Sequence, residues 1–204
     1  MIDYPRMPTI ELHRHSIKQT AGDANLSQEG IALAEAVGAT ALRGRNFTHL
    51  LVSSLQRTSD TMAAFARGAG DFTVTATGRF LENPDVFGTE NAKQLWHTVC
   101  YQAELKHEDM MTAILTEDKA EAERIATEAT AQFRTWLDSL PTDAQVLVVH
   151  HSPSLELLAY TLFGITLPQL QPCDGFRIHI DGDQLTLTSI ADDATLDASA
   201  VAGE

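Results

Sequence analysis

The feature that most constrains the fold is the alternation of short apolar β-type runs with longer helical patterns. Residues 9–15 (TIELHRH), 49–53 (HLLVS) and 146–150 (VLVVH) are strand patterns, and each is followed by a stretch with helical periodicity. The second and third runs are apolar without alternation, which is typical of strands buried on both faces of a parallel sheet. This order predicts a three-layer α/β/α sandwich with a mainly parallel sheet.

Signals at the ends of the elements add detail. Ser27 is suited to cap the N-terminus of a first helix, and residues 56–68 predict a second helix that ends at a glycine. Residues 73–77 are a candidate third strand. Residues 88–140 are largely helical and predict an insertion that covers the functional site. The runs FRIHI and QLTLTSI flank Asp181-Gly182-Asp183 and predict an antiparallel β-hairpin.

Length and composition indicate one domain. The chain has 204 residues with 44% hydrophobic residues, enough for one sizeable core, so we expect a single domain over residues 1–190. The small, acidic residues 191–204 predict a disordered tail.

Charge and cysteine usage exclude several functions. The net charge of -14 disfavours binding to nucleic acids and to anionic membrane surfaces. The two cysteines, Cys100 and Cys173, lie far apart and encode neither a disulfide scaffold nor a thiolate zinc site. The first ten residues lack the apolar run of a signal peptide, and no stretch is long enough for a transmembrane helix. We therefore expect a cytoplasmic protein.

Cationic side chains follow three of the predicted strands. The strands run into His13-Arg14-His15-Ser16, into residues 53–57 (SSLQR) and into residues 150–153 (HHSP). In parallel α/β sheets, ligands bind at the carboxyl ends of the strands, so these groups are expected to converge. A net acidic protein that gathers positive groups at one place is expected to hold an anion there. Phosphate is the natural ligand, because guanidinium groups match its oxygens in bidentate geometry.

The same residues resemble the three signature motifs of the histidine phosphatase superfamily, branch 1, the phosphoglycerate-mutase-like proteins. The family's motifs are an Arg-His pair after the first strand, a serine four residues before an arginine with a threonine four residues after it, and an apolar strand that ends in histidine. The matching residues are Arg14, His15, Ser53, Arg57, Thr61 and His151. The stretch LSQEGIALAEAVG, which begins at Leu26, resembles the family's helix between the first two motifs.

The resemblance implies a phosphoglycerate-mutase-like fold and a phosphomonoesterase. His15 would attack phosphorus through a neutral imidazole and form a phosphohistidine, which water hydrolyses. The other ring nitrogen would need an acceptor, such as a backbone carbonyl near Ser16. Arg14, Arg57 and His151 would bind the phosphate oxygens, and His151 would also take part in catalysis. Neither a metal nor another cofactor would be required.

The resemblance also places a proton donor in the loop at residues 78–88, after the third strand. Glu82 is the best match, because it follows Phe80-Leu81 much as the family's glutamate follows its Leu-x pair. Asp85 is the second candidate. Aspartate after the second histidine, typical of the acid-phosphatase branch, is replaced here by Ser152.

Two departures from the family pattern bear on function. Ser16 stands where the family usually has glycine, and it would be strained if that position needed a positive φ. The segment between His15 and Leu26 is shorter than expected for glycolytic mutases, which favours a phosphatase over a mutase.

Three alternatives stay open: a non-catalytic module that binds a phosphorylated ligand, a phosphoglycerate-type mutase, and a metallohydrolase that uses His13 and His15. The last rests on their separation of two residues, which places them on one strand face.

The partner is expected to be a small phosphorylated molecule or a phosphoprotein. Cations that could contact distal anions of the substrate are Lys18, Arg43, Arg45 and Arg79.

Overall fold

A six-stranded sheet forms the centre of the described chain. The computed structural model describes residues 8–20, 25–72, 74, 76–80, 89–191 and 194–196. The strands are β1 (Thr9–Arg14), β2 (His49–Val52), β3 (Ala76–Arg79), β4 (Gln145–His150), β5 (Gly175–Asp181) and β6 (Gln184–Ser189). Their order is β3-β2-β4-β1-β5-β6. Strands β3, β2, β4 and β1 are parallel, and β5 is antiparallel to both β1 and β6.

Helices follow the parallel strands along the chain. They are α1 (Gln28–Val37), α2 (Gln56–Ala69), α3 (Glu90–Lys93), α4 (Cys100–Lys106), α5 (Met110–Leu137) and α6 (Ser154–Phe163). π-Helical segments follow α1 (Gly38–Leu42) and join α3 to α4 (Gln94–Val99). Helix α5 is kinked at Asp118, whose φ of -150° and ψ of 84° are not helical. None of the helices in the described ranges has both the length and the apolar composition needed to cross a bilayer.

Both faces of the sheet are covered, which confirms the predicted three-layer α/β/α sandwich with a mainly parallel sheet. Leu147 and Val149 of β4 point to the face that packs against Phe65 of α2. Val146 and Val148 point to the opposite face, where they join a cluster with residues of α5 and α6. Alternate residues of one strand thus reach two cores, as expected for a strand buried on both faces.

The end of α2 corrects one sequence prediction. The helix continues past Gly68 and ends at Gly70, whose φ of 93° lies in the left-handed region that closes helices. Gly68 has another role, because a Cβ there would lie 1.9 Å from the Glu35 carbonyl oxygen. Glycine therefore permits the close packing of α2 on α1.

The third strand also lies later than predicted. It covers Ala76–Arg79 rather than residues 73–77, because its pairing register with β2 runs from Ala76 opposite His49 to Arg79 opposite Val52. Residues 73 and 75 lie outside the described residues.

Residues 194–196 of the acidic tail contact strand β6, and the predicted disorder of residues 191–204 stays a prediction. The Ser189 N–H donates to the Ala194 carbonyl at 2.9 Å, and the Leu196 N–H donates to the Leu187 carbonyl at 2.9 Å. Residues 192–193 and 197–204 lie outside the described residues. The hairpin of β5 and β6, on which this segment packs, is confirmed as predicted.

Strand β1 is anchored by a buried carboxylate. Glu11 is 0% exposed and its oxygens lie 3.0 Å from His13 Nε2, 2.8 Å from Arg45 Nη2 and 2.8 Å from Arg177 Nε. Burial alone would raise the pKa of Glu11, but His13, Arg45 and Arg177 outweigh burial and lower the pKa to about 2. The charged network fixes the strand that carries the first motif.

Candidate active site

The first and third motifs meet at the carboxyl ends of two paired strands. Arg14 of β1 lies opposite His150 of β4 in the parallel register, and the His15 N–H donates to the His150 carbonyl at 2.9 Å. The next residues, His15 and His151, therefore lie side by side, with ring centroids 5.2 Å apart. Register alone thus brings together two histidines that are 136 positions apart in the chain.

His15 is held in one tautomer. Its Nδ1 lies 2.7 Å from the Ser16 carbonyl oxygen, which can only accept, so Nδ1 carries the proton and Nε2 is left with its lone pair. The predicted acceptor near Ser16 is thus the Ser16 carbonyl. Burial lowers the pKa of His15 well below its usual value, and the charges of Arg57, Arg14 and Lys18 lower it further. The ring is neutral at physiological pH.

His151 contacts the second motif. Its Nε2 lies 2.6 Å from Ser53 Oγ at the end of β2, while its buried Nδ1 has no hydrogen-bond partner within the described part of the chain. Burial lowers the pKa of His151, and so do the nearby His150, His15 and Arg57. When the Ser53 hydroxyl donates to Nε2, the proton stays on Nδ1, which can then donate to an anion.

Ser16 fits its position without strain. The described non-glycine residues with positive φ are Asp71, His107 and Cys173, so Ser16 does not need the conformation that favours glycine. Its N–H donates to Thr61 Oγ1 at 3.0 Å, and its hydroxyl donates to the Gly30 carbonyl at 2.7 Å. The serine therefore links β1 to α1 and α2 and takes the place of the expected glycine.

The second motif supplies a cation at the N-terminus of α2. Arg57 is the second residue of this helix, and its charge lowers the pKa of both His15 and His151. The Arg57 carbonyl accepts from Thr61 Oγ1 at 2.8 Å, so Thr61 ties the first turn of α2 to Ser16. Arg57 thus lies beside both histidines and at a helix N-terminus. A cation at a helix N-terminus is normally unfavourable unless an anion is bound there.

Gly30 has a packing role in α1, the helix that resembles the family's helix between the first two motifs. Ser27 caps α1 by accepting the Gly30 N–H at 2.9 Å, as predicted. A Cβ on Gly30 would lie 2.2 Å from the Ile17 carbonyl oxygen. Only glycine lets the first turn of α1 pack directly on the backbone that follows His15.

Arg14 is positioned by a residue that the sequence did not single out. Its Nη1 donates to the Leu170 carbonyl, and the Leu170 N–H donates to Glu156 Oε1 at 2.9 Å. Glu156 also accepts from Ser152 Oγ at 2.6 Å and is 1% exposed. Burial raises the pKa of Glu156, against the lowering effect of these hydrogen bonds and of Arg14. The available signal was that Glu156 is the one charged residue in the mainly apolar run SLELLAYTLF.

His13 does not join His15. Its Nδ1 donates to the Cys173 carbonyl at 2.8 Å, its Nε2 lies beside Glu11, and its ring packs on Phe65 at 5.2 Å. Strand β1 ends at Arg14, so the alternation that pairs His13 with His15 does not extend to His15. Among the residues that the structure describes, no group of three or more His, Cys, Asp or Glu side chains is arranged to hold a metal ion.

Three of the four candidate cations for distal anions have structural partners instead. Arg43 donates to the Gly68 carbonyl at 3.2 Å, Arg45 pairs with Glu11, and Arg79 donates to the Ser53 carbonyl. Lys18 alone of these four lines the cavity described below. The predicted proton donors Glu82 and Asp85 lie outside the described residues, so their roles stay predictions.

A cavity of about 780 Å³ opens at His15. Its lining residues come from segments 14–20, 104–109 and 168–172, so the helical region between β3 and β4 forms one wall. This agrees with the predicted helical insertion over the site. Glu104, Glu108 and Asp109 line the cavity on that wall, and Arg14 and Lys18 line it on the side of β1.

The chain belongs to the histidine phosphatase superfamily (branch 1), whose family model matches residues 9–193. The match covers nearly all of the chain, and the motif residues lie together as this membership requires. A comparison with curated protein sequences gives no match.

Solved structures share the fold at low sequence identity. Phosphoglycerate mutase from Bacillus anthracis str. Sterne is 17% identical with a TM-score of 0.64, over 97% of this chain and 96% of that one. A putative alpha-ribazole-5'-P phosphatase from Escherichia coli str. K-12 is 18% identical with a TM-score of 0.59, over 89% and 96%. Mycobacterial glucosyl-3-phosphoglycerate phosphatase is 15% identical with a TM-score of 0.56, over 85% and 91%.

Replacing Glu156 by leucine should weaken binding of inorganic phosphate by about tenfold or more, because Arg14 loses its anchored partner carbonyl at Leu170. Glu156→Gln retains an oxygen acceptor for the Leu170 N–H and should lose less than about threefold. Isothermal titration calorimetry measures both affinities, and circular dichroism confirms folding.

The control is Glu128→Leu, which removes a carboxylate from a half-exposed pair with Arg124. It should bind phosphate like the wild type. Wild-type affinity in Glu156→Leu would show that Arg14 is positioned without Glu156.

Proposed function

We propose that this chain is a metal-independent phosphomonoesterase that acts through a phosphohistidine on His15. One observation carries the proposal: a buried, neutral imidazole whose Nδ1 donates to the Ser16 carbonyl and whose unprotonated Nε2 lies beside Arg14 and Arg57. Membership of the histidine phosphatase superfamily supports it. The expected substrate is a small phosphorylated molecule or a phosphoprotein.

In the first step, the lone pair on His15 Nε2 forms a bond to phosphorus while the ester P–O bond breaks in line with it. The oxygen of the leaving alcohol takes a proton, which the family resemblance assigns to Glu82. Arg14, Arg57 and His151 stabilise the charge on the equatorial oxygens. The proton on Nδ1 stays on the ring, and the Ser16 carbonyl stabilises the positive charge that the ring gains.

In the second step, water attacks phosphorus and the N–P bond breaks, which returns the electron pair to Nε2. The carboxylate formed in the first step accepts the proton from water, so the acid and the base are the same group. Inorganic phosphate leaves and the resting state is restored. The nucleophile, the carboxyl group and the cationic side chains complete this cycle without a metal.

The protonation state of His15 favours an enzyme over a module that only binds phosphate. A binding site gains most from a permanent positive charge, and burial together with Arg57 keeps His15 from acquiring one. A neutral ring is a weak anion ligand but is the form that can act as a nucleophile. Burying this histidine among cations costs free energy, and its use as a nucleophile explains why the protein keeps it there.

Rapid mixing with a radiolabelled phosphate ester, followed by quenching in alkali, should trap label on the wild-type protein. The label should be stable to alkali and released by acid, as expected of a phosphohistidine, and peptide mapping should place it on His15. Inorganic phosphate should be released at an unchanged rate after treatment with a chelator.

His15→Ala should show neither label nor turnover, whereas His97→Ala, which removes an exposed histidine, should behave like the wild type. Label on His15→Ala, or activity that a chelator abolishes and zinc restores, would refute the proposed mechanism. Transfer of label to a phosphoglycerate acceptor instead of water would favour a mutase.

Replacing Glu82 by glutamine should slow the hydrolysis of alkyl phosphates by about 100-fold or more, because an alkoxide leaving group needs a proton. Aryl phosphates have better leaving groups and should lose less than about threefold. Steady-state kcat/KM values on both substrate types test this. Equal losses on alkyl and aryl substrates would remove Glu82 from the role, and Asp85→Asn would then be measured in the same way.

A further inference from the structure

We propose that Glu104 sets the substrate class of this site: it neutralises Lys18 inside the cavity and so excludes phosphate esters that carry a second anionic group. The accepted substrates would be phosphate monoesters whose remaining part is uncharged and polar, or cationic. This inference rests on the proposed function for turnover, but its prediction concerns binding and can be tested separately.

The first observation is the ion pair itself. Lys18 Nζ lies 2.5 Å from Glu104 Oε1 and 2.7 Å from Oε2, and the two side chains are only 13% and 23% exposed. Both residues line the cavity that opens at His15. The pair joins the segment after β1 to the end of α4, so it crosses between the phosphate-binding side and the helical wall.

The second observation is that Lys18 belongs to the same electrostatic environment as the phosphate site. Its charge lowers the pKa of His15 and of His151, and its own pKa is lowered by burial. Left alone, Lys18 would attract a carboxylate or a second phosphate on the substrate. The Glu104 carboxylate already occupies that position and cancels the charge.

The third observation is the charge on the rest of the wall. Beyond Glu104, the segment that lines the cavity contributes Glu108 and Asp109. Asp109 Oδ1 accepts the Thr112 N–H at 2.7 Å, which holds this carboxylate at the start of α5. The uncharged Gln169 faces the same space, and its Oε1 accepts the Met110 N–H at 3.3 Å. The wall therefore repels anions and can accept hydroxyl or amino groups.

Different residues of the site therefore act on different parts of the substrate. Arg14, which lines the cavity, and Arg57, whose charge acts on His15, attract the phosphoryl group. The described residues of segment 104–109 that line the cavity include neither lysine nor arginine, and Lys18 is paired with Glu104. A second anion would have to displace Glu104 from Lys18 and then lie beside Glu108. Both steps cost electrostatic free energy in a partly desolvated space.

Three phosphonates test the ranking without turnover, because their P–C bond is not hydrolysed. They share a two-carbon chain and differ only at its end: 2-aminoethylphosphonate is cationic, 2-hydroxyethylphosphonate is neutral, and 3-phosphonopropionate is anionic. Calorimetry at low ionic strength should show that the first two bind about tenfold more tightly than the third.

Glu104→Gln tests the assignment to this residue. The variant frees Lys18 and should improve binding of 3-phosphonopropionate by about tenfold, with little change for the neutral ligand. The control is Glu90→Gln, which breaks a comparable Lys–Glu pair with Lys93 at an exposed position on α3. It should leave all three affinities unchanged.

Equal or tighter binding of 3-phosphonopropionate by the wild type would overturn the proposal, as would an unchanged ranking in Glu104→Gln. Failure of all three phosphonates to bind would also overturn it. If the ranking holds but no ester is hydrolysed, the proposed function fails while the role of Glu104 stands.

Discussion

The hydrogen bond from His15 Nδ1 to the Ser16 carbonyl is the interaction on which the chemistry of this site depends. It leaves Nε2 unprotonated, and it can form only because the backbone after β1 is held in place. Ser16 is fixed by Thr61 of α2 and by the Gly30 carbonyl of α1. The side chain that would react is therefore oriented by two helices and a strand.

The site concentrates positive charge in a protein of net charge -14. Three cations, Arg14, Arg57 and Lys18, surround a histidine that burial keeps neutral. This arrangement of cations is electrostatically unfavourable without an anion. The fold partly offsets it through two glutamates. Glu156 acts on Arg14 through the Leu170 peptide, and Glu104 pairs with Lys18. The first glutamate orients Arg14, which we propose binds the phosphoryl group, and we propose that the second determines what else the cavity can accept.

The motif residues were predictable from sequence because parallel strands end at one edge of a sheet. Arg14, His15 and His151 each follow an apolar run, so their convergence required only the strand order and register. The helix cap at Ser27 was predictable for a similar reason, since it is a local signal.

Other features depend on contacts that no local pattern encodes. Glu104 looks like any solvent-facing glutamate of a helix until the fold places it against Lys18, 86 residues earlier in the chain. The role of Gly68 likewise depends on the approach of α1, so sequence reasoning placed a helix end there instead. Ser16 does not have the positive φ that would have strained it, because the backbone conformation at one position follows from its tertiary partners.

The most direct test of a neutral His15 with an unprotonated Nε2 is 15N NMR of the histidine rings in the ligand-free protein, with the His15 signals assigned by comparison with His15→Ala. The lowered pKa means that the ring stays neutral as the pH falls through its usual value of about 6.5. We expect the shifts of a neutral ring protonated at Nδ1 from about pH 8 to about pH 6. A protonation midpoint near or above about 6.5, or a proton on Nε2, would contradict the role of His15 as the nucleophile.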